Sequence, residues 1–357
     1  MIDSGHNATD EMLAWLERDL AALYSEAAKD VTAKLEDYLR RFAIKDQTWK
    51  GWVEDGKKTK EEYIEWRKGQ MMAGKRWEET RDSLAKDLAR ADRIAVEIIG
   101  EYKPDVYAEN FNFGTYEVEK GAKLDTSFTL YNRDTVAKLM KDNPDLLPGP
   151  GRKATERIKA AAAAIGKDIR WNKQHIQSAV LQGIVQGESI PKIAGRLEMV
   201  AEMDHRTATR NARTSVTSAE NIGREHAYER AEDMGINMIR MWQSVLDMRT
   251  RHEHRMLDGE QAKVGEPFVV PGSGEEIMYP GDPSAEPYMV YNCRCRTRGI
   301  VDGLEPQARK YRSLDGIDGM TYEEWKQSKV ERPNPILLPE EKSEAIRQVY
   351  IAEYRRG

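Results

Sequence analysis

Two histidines and both cysteines of the chain fall in one stretch, His252 and His254 on one side and Cys293 and Cys295 on the other. Two imidazole nitrogens and two thiolate sulfurs are a donor set that zinc accepts. The same stretch crowds Asp247, Glu253 and Asp258 around the histidines, which are groups able to act as general acid and base. Spacing names no nucleophile–base pair, however. Neither Gly-x-Ser-x-Gly nor His-Glu-x-x-His occurs, because His252-Glu253 lacks the second histidine. A third reading is structural. Asp247, Asp258, Asp282 and Asn292 stand at turn positions, where short polar side chains bond local backbone. Gly259 and Gly281 supply the positive φ of tight turns. The structural reading accounts for the whole stretch, so no catalytic residue, cofactor or complete metal site is expected.

Turn signals at Asp258-Gly259, Pro271-Gly272-Ser273-Gly274 and Pro280-Gly281-Asp282-Pro283 divide the stretch into short pieces. Between them lie β-prone runs, Phe268-Val269-Val270 and Met289-Val290-Tyr291. Ile236–Val245 reads as a strand leading in, and Arg296–Val301 as one closing the set. Taken together, Asp247-x-Arg249-Thr250, His254-x-x-Leu257-Asp258-Gly259, Tyr279-Pro280-Gly281-Asp282 and Asn292-Cys293-Arg294-Cys295 resemble the phage Mu F-like family of minor head, or head-morphogenesis, proteins of tailed bacteriophages. The resemblance reaches upstream through Ala212-Arg213-Thr214, Ala219-x-Asn221 and Gly223-Arg224, and so covers roughly residues 170–302. In many such proteins a Cys-x-x-Cys pair is answered by a histidine shortly before Asn-Cys-Arg-Cys. Here those positions hold Arg251, His254 and Val290. His254 and the two cysteines remain, with His252 as a substitute. The resemblance therefore implies a pin of polar residues, Asp247, Arg249 and Arg251, in place of a metal.

Composition sets the frame. The 357 residues are 33% charged and 39% apolar, with a net charge of −5. This suits a helix-rich protein with much exposed surface rather than a polycation that coats nucleic acid. No apolar run approaches the ~18 residues of a membrane span. The first residues lack the basic and apolar regions of a signal peptide. Two cysteines at i, i+2 are no disulfide framework, so folding in a reducing cytoplasm is expected.

Elements upstream must position the stretch. Apolar residues at Met12, Leu16, Leu20, Leu23, Ala27, Val31, Leu35, Leu39 and Phe42 predict one amphipathic helix over 9–42. It reads either as a bundle helix or as an arm that docks on another subunit and whose removal leaves the motif region folded. Thr59-x-x-Glu62 is a capping box that opens a second helical region ending near Gly100, with Trp66 and Trp77 as core. Residues 105–131, rich in Tyr and Phe, read as irregular structure packed by aromatics. Pro144, Pro148, Gly149, Pro150 and Gly151 mark a linker. Helices follow over 171–186, from Ser189-Ile-Pro191, and from a cap at Asp204 to Gly235. The last of these carries a small-residue face suited to close packing on the motif region, and Arg206, Arg210 and Arg213 one turn apart. Thr321-x-x-Glu324 opens another helix, Arg332-Pro-Asn-Pro335 interrupts, and a final helix covers about 339–354.

The expected fold is α+β: a long-helical domain over 1–148, a Mu F-like head-morphogenesis domain over 149–302 that ends in a small antiparallel β-rich part, and a C-terminal extension over 303–357. The resemblance implies a structural minor capsid protein in the virion, near the portal vertex. Its expected partners are the portal protein and other head proteins, with weak contact to packaged DNA through Arg294, Arg296, Arg298, Arg309 and Arg312, and no membrane. The alternative is a metal-assisted hydrolase built on His252, His254, Cys293 and Cys295.

Overall fold

The structure, a computed structural model, describes residues 3–143, 146, 154–305, 312–329 and 339–356. The expected linker residues Pro144, Pro148, Gly149, Pro150 and Gly151, the prolines at 333 and 335, and Arg309 lie outside the described residues, as does the side chain of Arg312. Among the described residues there are eleven helices: α1 Ser4–Arg40, α2 Ala43–Glu54, α3 Lys60–Met71, α4 Lys75–Ala122, α5 Arg133–Asp142, α6 Ala154–Val185, α7 Ile190–Asp233, α8 His252–Leu257, α9 Pro287–Val290, α10 Tyr322–Lys329 and α11 Pro339–Arg356. The strands are β1 Leu124–Asp125, β2 Ile236–Gln243, β3 Gln261–Lys263, β4 Phe268–Val269, β5 Glu276–Ile277, β6 Arg296–Leu304 and β7 Arg312–Ser313. All pairings are antiparallel: β3-β2-β6, β4-β5 and β1-β7. The helix-dominated α+β class read from the sequence is the fold. None of the described helices is long and apolar enough to cross a membrane.

The chain forms two compact units, each assembled from distant segments. One takes residues from 1–17, 99–154 and 210–342, the other from 18–98, 155–209 and 343–357. In the second unit, Thr59 makes the expected capping box with Glu62 at the start of α3. The buried Arg67 clamps Asp46 through Nε and Nη2, both at 2.7 Å, which fixes α3 against α2. Trp77 is buried and donates to Gln177 at 2.9 Å, tying α4 to α6, while Trp66 stacks on Trp49. Both tryptophans are structural.

The apolar stripe of α1 is used within the chain. Leu16, Leu20, Leu23, Ala27, Val31, Leu35 and Leu39 are all fully buried. Of the two readings of this helix, the structure selects the bundle helix. No free stripe remains for an arm.

Three local expectations need correction. α4 does not end at Gly100 but runs to Ala122, through Pro104. One missing N–H and weak formers at Gly114 and Gly121 argue against helix locally. Burial of Tyr102, Val106, Tyr107, Phe111, Phe113 and Val118 outweighs them. The aromatics of this segment pack against one another and against α10: Phe111 on Tyr131 at 4.3 Å, Phe113 on Tyr322 at 5.1 Å, and Phe128 on Trp325 at 6.2 Å. They are core, as the expected aromatic packing requires, but on helix rather than irregular structure. Asp204 caps nothing, because α7 is continuous from Ile190 to Asp233. Its carboxyl is buried near Asp92 and Asp168, and burial followed by those like charges pushes it up to about 8. Met289-Val290 is helical turn rather than strand, since Pro287 in the first turn fixes a helical φ where no N–H is needed.

Candidate functional site

The motif region is built on one strand and one helix. β2 alternates buried and half-buried residues along its length, with Trp242 and Arg240 fully buried. Trp242 stands edge-on to His254 at 5.6 Å and to Phe268 at 5.3 Å. Around it gather Leu257, Val270, Ile277, Met289, Cys293 and Cys295, forming a small core of its own. Arg240 donates to Glu225 at 2.9 Å and to the carbonyls of Met278, Lys263 and Glu266. A single guanidinium thus satisfies carbonyls at the end of β3, in the loop after it and just past β5. The short β3, β4 and β5 can be small because Arg240 collects the carbonyls between them.

α7 supplies the second wall. Its small face permits close approach: a Cβ on Gly223 would lie 2.7 Å from the Tyr107 carbonyl oxygen. The Asn292–Cys295 turn sits on the polar side chains of the same helix. Thr217 Oγ1 donates to the Cys293 carbonyl at 2.8 Å. Asn221 accepts from the Thr297 N–H at 2.9 Å, and the Asn292 N–H reaches Thr214 Oγ1 at 3.3 Å. Asn292 itself takes φ +55°. The Tyr279–Asp282 turn lies against the same helix. Gly281 has φ +82°, and a Cβ there would stand 2.9 Å from the Ser218 nitrogen. Asp282 is buried and accepts from the N–H groups of Ser284 at 2.8 Å and Met278 at 3.1 Å. Asp258 accepts from the Ser244 N–H at 2.8 Å, and Gly259, at φ +84°, donates to the Trp242 carbonyl at 2.9 Å. Each of these Asp, Asn and Gly residues therefore wires a turn.

Asp247 organises the turn that follows β2. Its carboxylate takes Arg294 Nη1 at 2.8 Å and Nη2 at 2.9 Å, and accepts the Arg249 N–H at 2.9 Å. Arg294, followed by that N–H and Thr250, holds the carboxyl well below the usual range. Thr250 Oγ1 donates to the Val245 carbonyl, and Arg255 donates to the Asp247 carbonyl at 2.7 Å. Arg251 donates to the Tyr291 carbonyl. Arg249, Arg251 and Arg294 line a crevice with Asn292 and Cys293. The structure thus brings Asp247, Arg249 and Arg251 to the Asn292–Cys295 turn.

His254, Cys293 and Cys295 converge beneath this turn. His254 Nδ1 lies 3.5 Å from Cys293 Sγ and 3.3 Å from Cys295 Sγ, and the three residues are buried. In a tetrahedral zinc site, ligand sulfur and nitrogen stand about 3.5 Å apart, so three donors have the spacing of metal ligands. The fourth position is not filled. His252 is exposed and outside the group, and the Arg251 cation sits close enough to act on Cys293. Among the described residues, His254, Cys293 and Cys295 are the grouped donors, and a fourth does not join them. The Cys293 thiol, and after it His254, draw Cys295 down to about 4, while that same bond and burial push Cys293 up.

One tie of the region joins the motif residue Arg224 to partners that the sequence did not signal. Arg224, fully buried on α7, donates Nη2 to Asp3 at 2.7 Å, Nη1 to the Thr297 carbonyl at 2.9 Å and Nε to Asn110 at 3.0 Å. His6 Nδ1 lies 2.8 Å from Glu220. The N-terminal residues therefore belong to the same unit as the motif region, which bears against the expectation that this region folds without them. The other arginines of α7 divide: Arg206 pairs with Glu202 on the surface, Arg210 stacks over Tyr291, and Arg213 pairs with Glu17.

What the fold and site define is a helical scaffold carrying a loop-wired β region. Residues 174–298 match the family model described as Phage Mu protein F like protein, so the resemblance carried by the motifs holds over that stretch. The chain is 22% identical to the minor head protein GP7 of Bacillus phage SPP1, over 90% of this chain and 94% of that one. It is 26% identical to the NAD(+)–arginine ADP-ribosyltransferase EFV of Enterococcus faecalis, over 59% of this chain and 40% of that protein. It is also 27% identical to YqbB of Bacillus subtilis, over 43% of this chain and 52% of that protein. The chain thus spans only about half the length of the latter two relatives. No solved structure matches.

Proposed function

We propose that this chain is a structural minor head protein of a tailed bacteriophage, held in the head near the portal vertex, where it assists assembly and genome delivery. One observation carries the reading: the likeness to the SPP1 minor head protein runs nearly end to end in both chains. The site supports it. Every motif residue described above serves a turn, a buried pair or the small core around Trp242, as a protein built to be a stable part of an assembly requires. In this reading residues 149–302 are the head-morphogenesis part, and the portal and other head proteins are the partners.

Contact with packaged DNA is secondary and salt-sensitive. Arg294 and Arg296 are already taken by Asp247 and Asp3, which leaves Arg298 as the nearest basic side chain of that run. The hydrolase alternative gains nothing from the geometry, since His254, Cys293 and Cys295 are 2–3% exposed and His252 stands apart.

Quantitative mass spectrometry and cryo-EM of purified heads test the reading. The expected result is a fixed low copy number with density at one vertex. Absence of the chain from heads overturns it. Transfer of ADP-ribose from NAD to arginine by the purified protein would move it from the structural class to that of the Enterococcus relative.

A further inference from the structure

The turn between β2 and α8 combines a firmly held backbone with exposed apolar side chains. Its backbone is held firmly: Asp247 accepts from Arg249 and Arg294, Thr250 closes onto Val245, and Arg255 caps the Asp247 carbonyl. Yet its two large apolar side chains point into water, Leu246 at 66% and Met248 at 98% exposure. A loop that needed only to connect β2 to α8 would gain nothing from fixing two apolar groups in solvent. Fixing them in advance removes the ordering entropy that a docking surface otherwise loses on binding.

The surroundings specify what docks. Arg249 is exposed, and among the described residues no acceptor of the chain meets its guanidinium. It borders the crevice at the base of the turn, where Arg251 is bound to the Tyr291 carbonyl and Arg294 to Asp247. The apolar tip and the unpaired Arg249 guanidinium together fit a partner with an apolar pocket edged by carboxylates. A nucleic acid would use Arg249 but leave Leu246 and Met248 in solvent.

We propose that the Val245–Thr250 turn is a preformed protein-docking knob, in which Leu246 and Met248 enter an apolar pocket of a neighbouring head protein and Arg249 meets carboxylates at its edge. The proposal rests on the reading of the chain as a head protein and names the surface by which it is held there.

The test compares three variants in heads assembled from the phage's own head genes: Leu246→Ser with Met248→Ser, Arg249→Glu, and Met248→Leu. Thermal unfolding of the purified proteins should be unchanged in all three, because the altered side chains are exposed. The serine pair and Arg249→Glu should each lower head-associated protein at least about tenfold, as loss of a central contact does, while Met248→Leu keeps it. Wild-type incorporation of both disruptive variants overturns the knob and leaves the head-protein reading intact. Absence of the wild-type chain from heads overturns the head-protein reading, and the knob with it. Binding of the purified protein to duplex DNA that is lost in Arg249→Glu but unchanged in the serine pair, with both variants incorporated normally, assigns the surface to nucleic acid and also overturns the knob.

Discussion

The carboxylate of Asp3 meets both terminal nitrogens of Arg224, at 2.7 and 2.9 Å, across 221 residues of sequence and with the guanidinium fully buried. Burial works against the charged carboxylate, but Arg224 and the His6 N–H outweigh it and hold Asp3 down at about 2. The stabilisation is therefore present above the unfolded carboxyl's ~3.9 and is lost as pH falls through about 2. Replacing Asp3 by Asn leaves a buried cation half-paired. Urea unfolding should show a loss of roughly 3–5 kcal/mol. Removal of residues 1–45 should unfold the motif region rather than merely detach an arm, and circular dichroism of the truncated chain checks this.

Gly281 combines φ +82° with a backbone approach that leaves no room for a methyl group. Gly281→Ala should destabilise by roughly 2–4 kcal/mol, the sum of a left-handed alanine and overpacking. Gly265, also at positive φ but with open space around it, is the control. Gly265→Ala should show the conformational part alone in the same denaturation experiment.

Asp247→Ala should act locally. Its carboxyl lies at the surface, so global stability should change little. The Val245–Thr250 amides should lose protection in hydrogen exchange, because the ties of Arg294, Thr250 and the Arg249 N–H to that carboxylate go together. Unchanged protection would show that the turn is held by Arg255 and Thr250 alone.

Glu117 is a buried carboxyl that accepts from the Tyr228 hydroxyl at 2.6 Å, and burial pushes it up to about 7. A raised carboxyl favours folding below its unfolded value of ~4.3. That contribution is lost as pH rises through about 7. Glu117→Gln should flatten stability against pH between about 4.5 and 7 by nearly one proton, read from urea midpoints across that range. An unaltered slope would place the titrating group elsewhere, with Glu225, also near 7, as the next to substitute.

The His254–Cys293–Cys295 cluster should not need metal to fold. Protein purified without added metal is expected to carry less than stoichiometric zinc and to keep its thermal midpoint in chelator. One tightly held zinc per chain, lost together with folding, would show that a donor from outside the cluster completes the site.

Sequence alone determined whatever is local. The period of the α1 stripe, the capping boxes at Thr59 and Thr321, the positive-φ glycines and the β2 and β6 strands follow from short-range sterics and hydrogen bonding. So did the motif residues of 247–295, because turn chemistry is written within a few positions of the turn. What it left to tertiary structure were choices in which long-range burial overrides local preference. Pro104 and two glycines lie inside α4, and Asp204 lies in the middle of α7, because the packed neighbours of those helices outweigh a propensity of about 1 kcal/mol for a glycine. Asp3 could not be matched to Arg224, nor Asp247 to Arg294, because an ion pair has no sequence period. Whether α1 is an arm or a bundle helix was equally open. The same stripe serves either, and only its burial within this chain decided.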